Sequence, residues 1–141
     1  MWTISATAVT SASPEQVWAI YLDVANWPRW DKGLAFYQPD GPFATGTAGI
    51  LQPEGGPELP FSLTLVEPGR LFVDNTPIGP ATAIIGRHEL TLVDTGTQIT
   101  HTVVIDGPDA GEMAEAMGFK QEELQETVSN LARYAEENRL A

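Results

Sequence analysis

Apolar and polar positions change their period twice along this chain, and the changes mark out its elements. Residues 2–10, WTISATAVT, alternate, with Trp2, Ile4, Ala6 and Ala8 on one face, so they predict a strand. Val9 breaks that parity, and a bulge is expected there. Ser13-Pro14-Glu15-Gln16 then starts a helix: Ser13 can cap the third helical amide, Gln16 stands at the capping-box position, and Pro14 needs no donor in the first turn. Val17, Ile20, Tyr21 and Val24 follow at helical spacing. Pro28 interrupts, so Asn26–Trp30 is expected to bend or form a second short helix.

From Leu34 to Asp106 the pattern is one of short strands between turns. The turns fall at Pro39-Asp40-Gly41-Pro42, residues 53–57, Glu67-Pro68-Gly69, residues 77–80 and Asp94-Thr95-Gly96. Short connections of this kind favour an antiparallel meander over parallel βαβ units. After Asp106-Gly107-Pro108 the period becomes helical. Met117, Gln121, Leu124, Val128, Leu131 and Ala135 form one stripe opposite Glu122, Glu123, Glu126, Arg133, Glu136 and Glu137. A long amphipathic helix is expected, with Gly118 as its weak point and Met113 and Met117 filling core. One helix covers a strip only ~10 Å wide. A sheet of six or seven strands is therefore left overpacked, open, or facing a cavity.

Composition narrows the function classes. The chain has 141 residues, 15.2 kDa, and reads as one domain without internal boundaries, residues 1–141. It has no cysteine, which excludes disulfide scaffolds, thiol nucleophiles and cysteine-held metals. Seven basic residues against 19 acidic ones give a net charge of −12, and such a field repels a phosphate backbone, so no nucleic-acid partner is expected. The first basic residue is Arg29, so no secretory leader is expected. The longest apolar run is the six residues Val17–Leu22, too short for membrane insertion. The expected location is the cytoplasm, and the expected state a monomer or weak homodimer.

The segment Pro14-Glu15-Gln16-Val17-Trp18, with Asp23, Trp27-Pro28 and Trp30-Asp31, resembles the opening of the START/Bet v 1-like superfamily, most closely its SRPBCC polyketide cyclase/dehydrase-related branch. Gly41-Pro42-Phe43, Val66-Glu67-Pro68-Gly69, His88-Glu89-Leu90, Gly96-Thr97, Thr100-His101, Gly107-Pro108 and the closing Leu131–Glu136 continue it over the whole chain. The resemblance implies an α+β helix-grip fold. In that fold a seven-stranded antiparallel sheet wraps a long C-terminal helix around an apolar cavity, with two short helices after strand 1. The superfold hosts lipid carriers, cyclases and chaperone activators alike, so it does not define a chemistry.

The two histidines are the leading candidates for chemistry. His88, Leu90 and Leu92 share one strand face, and Ile99, His101, Val103 and Ile105 share the apolar face of the next. Pairing Leu92 with Ile99 sets Leu90 against His101 and His88 against Val103, so both imidazoles point inward on a diagonal. A bulge at Gly96 would pair Leu92 with Gln98 and mismatch the apolar faces. Three roles fit inward histidines: a satisfied core residue, a ligand contact, or an acid/base group. A metal site is disfavoured, since no carboxylate of matching inward parity is evident beside them.

Trp27 and Trp30 either close one end of the core or stack on a ligand at the pocket mouth. Phe61, Leu63 and Leu65 alternate as a strand lining the cavity, and Leu34 and Phe36 read the same way. Leu90, Val103, Met117 and Leu124 complete the expected binding wall. There is no phosphate loop, HExxH, GxSxG or inward carboxylate pair, and none of the five serines has a nucleophile context. Arg87 faces outward by parity and Arg70 lies in a turn, so no arginine is placed to steer a polyketide-like chain. These features together predict binding of a small hydrophobic or aromatic molecule without a cofactor or metal. The alternative is an aromatase/cyclase-type enzyme with the histidines as proton shuttles. A co-chaperone-like module would need an exposed apolar patch, which the pattern does not show.

Overall fold

In the computed structural model, which describes residues 1–138, all the alternating segments become strands of one sheet. These are β1 (Trp2–Thr10), β2 (Leu34–Pro39), β3 (Ala48–Pro53), β4 (Leu59–Glu67), β5 (Leu71–Pro77), β6 (Ala83–Val93) and β7 (Gly96–Asp106). Every neighbouring pair is antiparallel, in the order β1-β7-β6-β5-β4-β3-β2. Between β1 and β2 lie α1 (Pro14–Leu22) and a 3₁₀ helix (Val24–Arg29). After β7 come α2 (Ala110–Ala116) and α3 (Gln121–Asn138). This is the α+β helix-grip arrangement: a curled sheet, two short helical segments after strand 1, and a long helix at the C-terminal end.

Local chemistry places the elements where the pattern predicts. Ser13 caps α1 through the amide of Gln16, and the Gln16 side chain accepts from the Ser13 amide, closing the capping box. Pro28 turns the following segment into a 3₁₀ helix that buries Trp27. The expected long helix is broken as Gly118 suggested: its φ of +77° is a backbone state that favours glycine. Val128, Leu131, Ala132 and Ala135 bury the inner face of α3 against a core that includes Ala6, Val17, Tyr21 and Ile99.

Several local expectations are corrected. β1 has no bulge at Val9; its ladder with β7 runs unbroken from Trp2 opposite Ile105 to Thr10 opposite Thr97. Parity holds because Thr10 takes the inward slot, where its hydroxyl accepts from the Ala12 amide, and Val9 faces solvent. Irregularities fall instead in β2, between Leu34 and Phe36, where Tyr37 rather than Phe36 turns inward, and in β4, between Leu63 and Leu65. Met117 does not fill core: it is 40% exposed, because the chain leaves α2 there. Gln121 is exposed as well; its amide donates to the Ser5 carbonyl, and Gln125 donates to that of Thr7. The two glutamines thereby cover carbonyls on the free edge of β1, a place where an unpaired strand invites aggregation.

The β6–β7 register differs from expectation by two residues. Val93 pairs with Gly96 across a two-residue turn at Asp94-Thr95, so Leu90 faces Ile99 and His88 faces His101 directly. A shift of two preserves parity, so both imidazoles still point inward. Leu92, at the end of the sheet, is 74% exposed.

Candidate functional site

Because α3 covers only the β1 side of the sheet, the concave face toward β2–β6 is left with a cavity of about 580 Å³. Ile4, Leu34, Leu51, Leu59, Ile84 and Val103 supply apolar wall. Trp27 and Tyr37 close one end, stacked with ring centroids 4.1 Å apart. Met117, Gly118, Phe119 and Lys120 of the α2–α3 connection also line it, with Leu124 of α3. The chain has only two lysines, and both Lys32 and Lys120 stand at this cavity, exposed, beside Glu123 and Glu126. The exposed residues mark its mouth.

The polar groups converge at the inner end. His88 and His101, opposite each other in the ladder, have ring centroids 4.7 Å apart. His88 lies flat on Phe72 at 3.9 Å and 9°, and its Nδ1 donates to the Phe72 carbonyl at 3.3 Å. His101 Nε2 bonds the Tyr21 hydroxyl at 2.8 Å. Asp74 on β5 also faces the cavity, and its Oδ2 accepts from the Tyr37 hydroxyl at 2.8 Å.

Burial dominates the electrostatics. Removal from water lowers His88, against the attraction of Asp74, and lowers His101 further, helped by the neighbouring His88. The same burial raises Asp74, although His88, the Tyr37 hydroxyl and the Gly86 amide favour its charged form. Tyr21 and Tyr37 are pushed up by burial, Tyr37 also by Asp74 beside it. Each of these groups is displaced toward its neutral form.

Of the sequence candidates, His88, His101, Trp27, Val103, Met117 and Leu124 line the cavity. Trp30, Phe61, Leu63 and Leu90 do not; they are buried in the core behind it. Phe61 stacks on the far side of Tyr37, at 4.2 Å, and Leu65 is 38% exposed rather than a wall residue. Phe36 is displaced from the wall by the irregularity in β2. Sequence reading missed Asp74, Tyr21 and Tyr37, and the statement that no inward carboxylate stands beside the histidines is wrong. The alternation Phe72, Asp74, Thr76 along β5 is the signal that would have found Asp74. No group of three or more metal-ligating side chains occurs among the described residues.

Gly86 makes room for this carboxyl. A Cβ at Gly86 would lie 2.5 Å from Asp74 Oδ1 and 3.1 Å from His88 Cε1. Gly86→Ala is therefore expected to push Asp74 off Tyr37 and to destabilise the fold by ~1–3 kcal/mol, the usual range for overpacking. Urea unfolding of Gly86→Ala, Asp74→Ala and the double variant checks it. The cost of Gly86→Ala should shrink in the Asp74→Ala background; an equal cost in both would place the strain elsewhere.

A curled sheet gripping a C-terminal helix over an apolar cavity with a polar inner end defines the class: a helix-grip cavity protein. The chain belongs to the family described as polyketide cyclase / dehydrase and lipid transport, whose profile matches residues 1–136. No curated protein matches it in sequence. Among solved structures it is similar to MLL2253 from Mesorhizobium loti, with TM-score 0.75 and 18% identity over 97% of this chain and 98% of that one. It is also similar to Ara h 8.0201, with TM-score 0.70 and 11% identity over 97% and 99%. DynU16, from the dynemicin biosynthetic locus, matches at TM-score 0.70 and 20% identity over 95% of this chain and 47% of that one. At these identities the likeness shows the fold alone. No helix among the described residues is long and apolar enough to cross a membrane.

Proposed function

We propose that this protein binds a small hydrophobic or aromatic molecule in the cavity between its sheet and α3. The observation that carries the proposal is the cavity of about 580 Å³, walled mainly by apolar side chains, with Asp74, His88 and His101 among its polar lining. Sites for drug-sized ligands have this size and this ratio of apolar wall to a few polar groups. The work of such a protein is to take the molecule out of water, with the Trp27 indole, backed by Tyr37, against it. The location in this reading is the cytoplasm.

Trp27 reports occupancy directly, since it lines the cavity, whereas Trp30 is sealed in the core. Titration with fatty acids, flavonoids and polyaromatic compounds should quench tryptophan fluorescence saturably, and Trp27→Phe should remove most of the response. No saturable quenching across the panel would contradict the proposal.

A second reading is an aromatase/cyclase-type enzyme, and Asp74 is the observation that favours it. A carboxyl beside a neutral imidazole in a site shielded from water is a competent pair for moving a proton. Turnover of a polyketide-like substrate, abolished in Asp74→Asn and His88→Phe with binding retained, would support catalysis. Binding without turnover would support a carrier.

A further inference from the structure

The hydrogen bonds behind the two histidines fix what each ring offers to the cavity. A carbonyl oxygen only accepts, so the Phe72 carbonyl requires the proton of His88 on Nδ1. In the neutral ring Nε2 is then a bare acceptor. The Tyr21 hydroxyl is fully buried, and His101 Nε2 is its only partner among the described residues. A hydroxyl proton with no acceptor is costly in such a place, so Tyr21 donates to Nε2 and the His101 proton resides on Nδ1. Neither His88 Nε2 nor His101 Nδ1 has a protein partner among the described residues. Trp30 Nε1 is the one fully enclosed side-chain polar atom there without a partner, so the two free ring nitrogens open onto the cavity.

We propose that His88 and His101 form a donor–acceptor pair that selects an uncharged aromatic ligand bearing a hydroxyl and a carbonyl group. His88 Nε2 accepts from the hydroxyl, and His101 Nδ1–H donates to the carbonyl. Tyr21 is a positioning residue, since it sets the tautomer of His101 without lining the cavity. A carboxylate ligand is disfavoured at this end. Among the described residues the only cations on the wall are Lys32 and Lys120, exposed at the mouth and accompanied by Glu123 and Glu126, and an anion moved inward meets an uncompensated site beside Asp74. This inference rests on the binding function proposed above and adds the ligand's polar chemistry to it.

Naphthalene, 2-naphthol, 2-acetonaphthone and 2-naphthoate make a matched set that separates the two proposals. At pH 7.5, 2-naphthol and 2-acetonaphthone should each bind ~3–10-fold tighter than naphthalene, the usual worth of one hydrogen bond, and 2-naphthoate should bind weakest. His88→Phe should remove the advantage of 2-naphthol alone, and His101→Phe that of 2-acetonaphthone alone. If either variant fails to fold, Tyr21→Phe decides. It should free the His101 tautomer, seen by ¹⁵N NMR of the ring, and narrow the preference for 2-acetonaphthone. Equal affinity for all four compounds, tightest binding of 2-naphthoate, or both histidine variants weakening both ligands alike would overturn the pairing while leaving the binding function intact. Failure of every compound to saturate would overturn both.

Discussion

A chain ended at Glu123 is expected to have no cooperative fold. That truncation removes Leu124, which is partly buried, and Val128, Leu131, Ala132 and Ala135, all buried. Burying one large aliphatic side chain is worth ~1.5–3 kcal/mol, so the helix face alone contributes on the order of 5–9 kcal/mol. Its loss also uncovers Ala6, Val17 and Ile99 on the opposing surfaces. The sum reaches the whole ~5–15 kcal/mol margin of an ordinary domain. The bonds of Gln125 and Glu136 to β1 and the segment after it go too, leaving the β1 edge open. Calorimetry and near-ultraviolet circular dichroism should show no sharp transition and no fixed aromatic environment. A truncated chain that melts cooperatively would show α3 to be peripheral.

The second large effect is on acid stability. Burial lowers His88 and His101 in the folded protein, whereas in the unfolded chain both titrate near the usual ~6.5. Above that pH neither state holds the proton, and the histidines cost nothing. As pH falls through ~6.5 the unfolded chain gains protons that the folded protein does not, so stability declines with acid. By pH 5 this amounts to about 2 kcal/mol for each imidazole that stays neutral. Asp74 acts with the opposite sign. Its folded value is raised, so its contribution is fully present below the usual carboxylate range and is lost as pH rises above it. Urea midpoints at pH 7.5 and pH 5 should therefore fall less in His101→Leu than in the parent, with Asp74→Asn stabilising mainly at the higher pH. The slope is the readout, since His101→Leu also deprives Tyr21 of its acceptor. Identical slopes in His101→Leu and the parent would mean that His101 titrates as if in water.

The sequence carried the fold further than the site, and particular residues show why. Proline- and glycine-marked turns, the Ser13–Gln16 box and the glycine at 118 act through local chemistry, so their outcomes were readable one segment at a time. The inward direction of both histidines was readable because parity survives a register shift of two. Their direct opposition was not, because apolar matching alone cannot tell Leu90–Ile99 pairing from Leu92–Ile99 pairing; the two-residue turn at Asp94-Thr95 decides it. Tyr37 was hidden by an irregularity between Leu34 and Phe36 that nothing in the local composition marks. Asp74 was legible in the alternation of β5, but a buried carboxyl becomes plausible only once Tyr37, Gly86 and His88 are brought around it by two other strands, β2 and β6.

The central claim is that the inner end of the cavity, with its two neutral imidazoles, is where a ligand's polar group is held. The most direct measurement is ¹⁵N–¹H NMR of the histidine rings at pH 7.5 with and without saturating 2-naphthol. Without it, both rings should be neutral and protonated on Nδ1. With it, His88 Nε2 should show the shift of an acceptor newly hydrogen-bonded, while its Nδ1 stays bonded to Phe72. Rings that are protonated on both nitrogens, or that stay unchanged while 2-naphthol saturates the protein, would contradict the account.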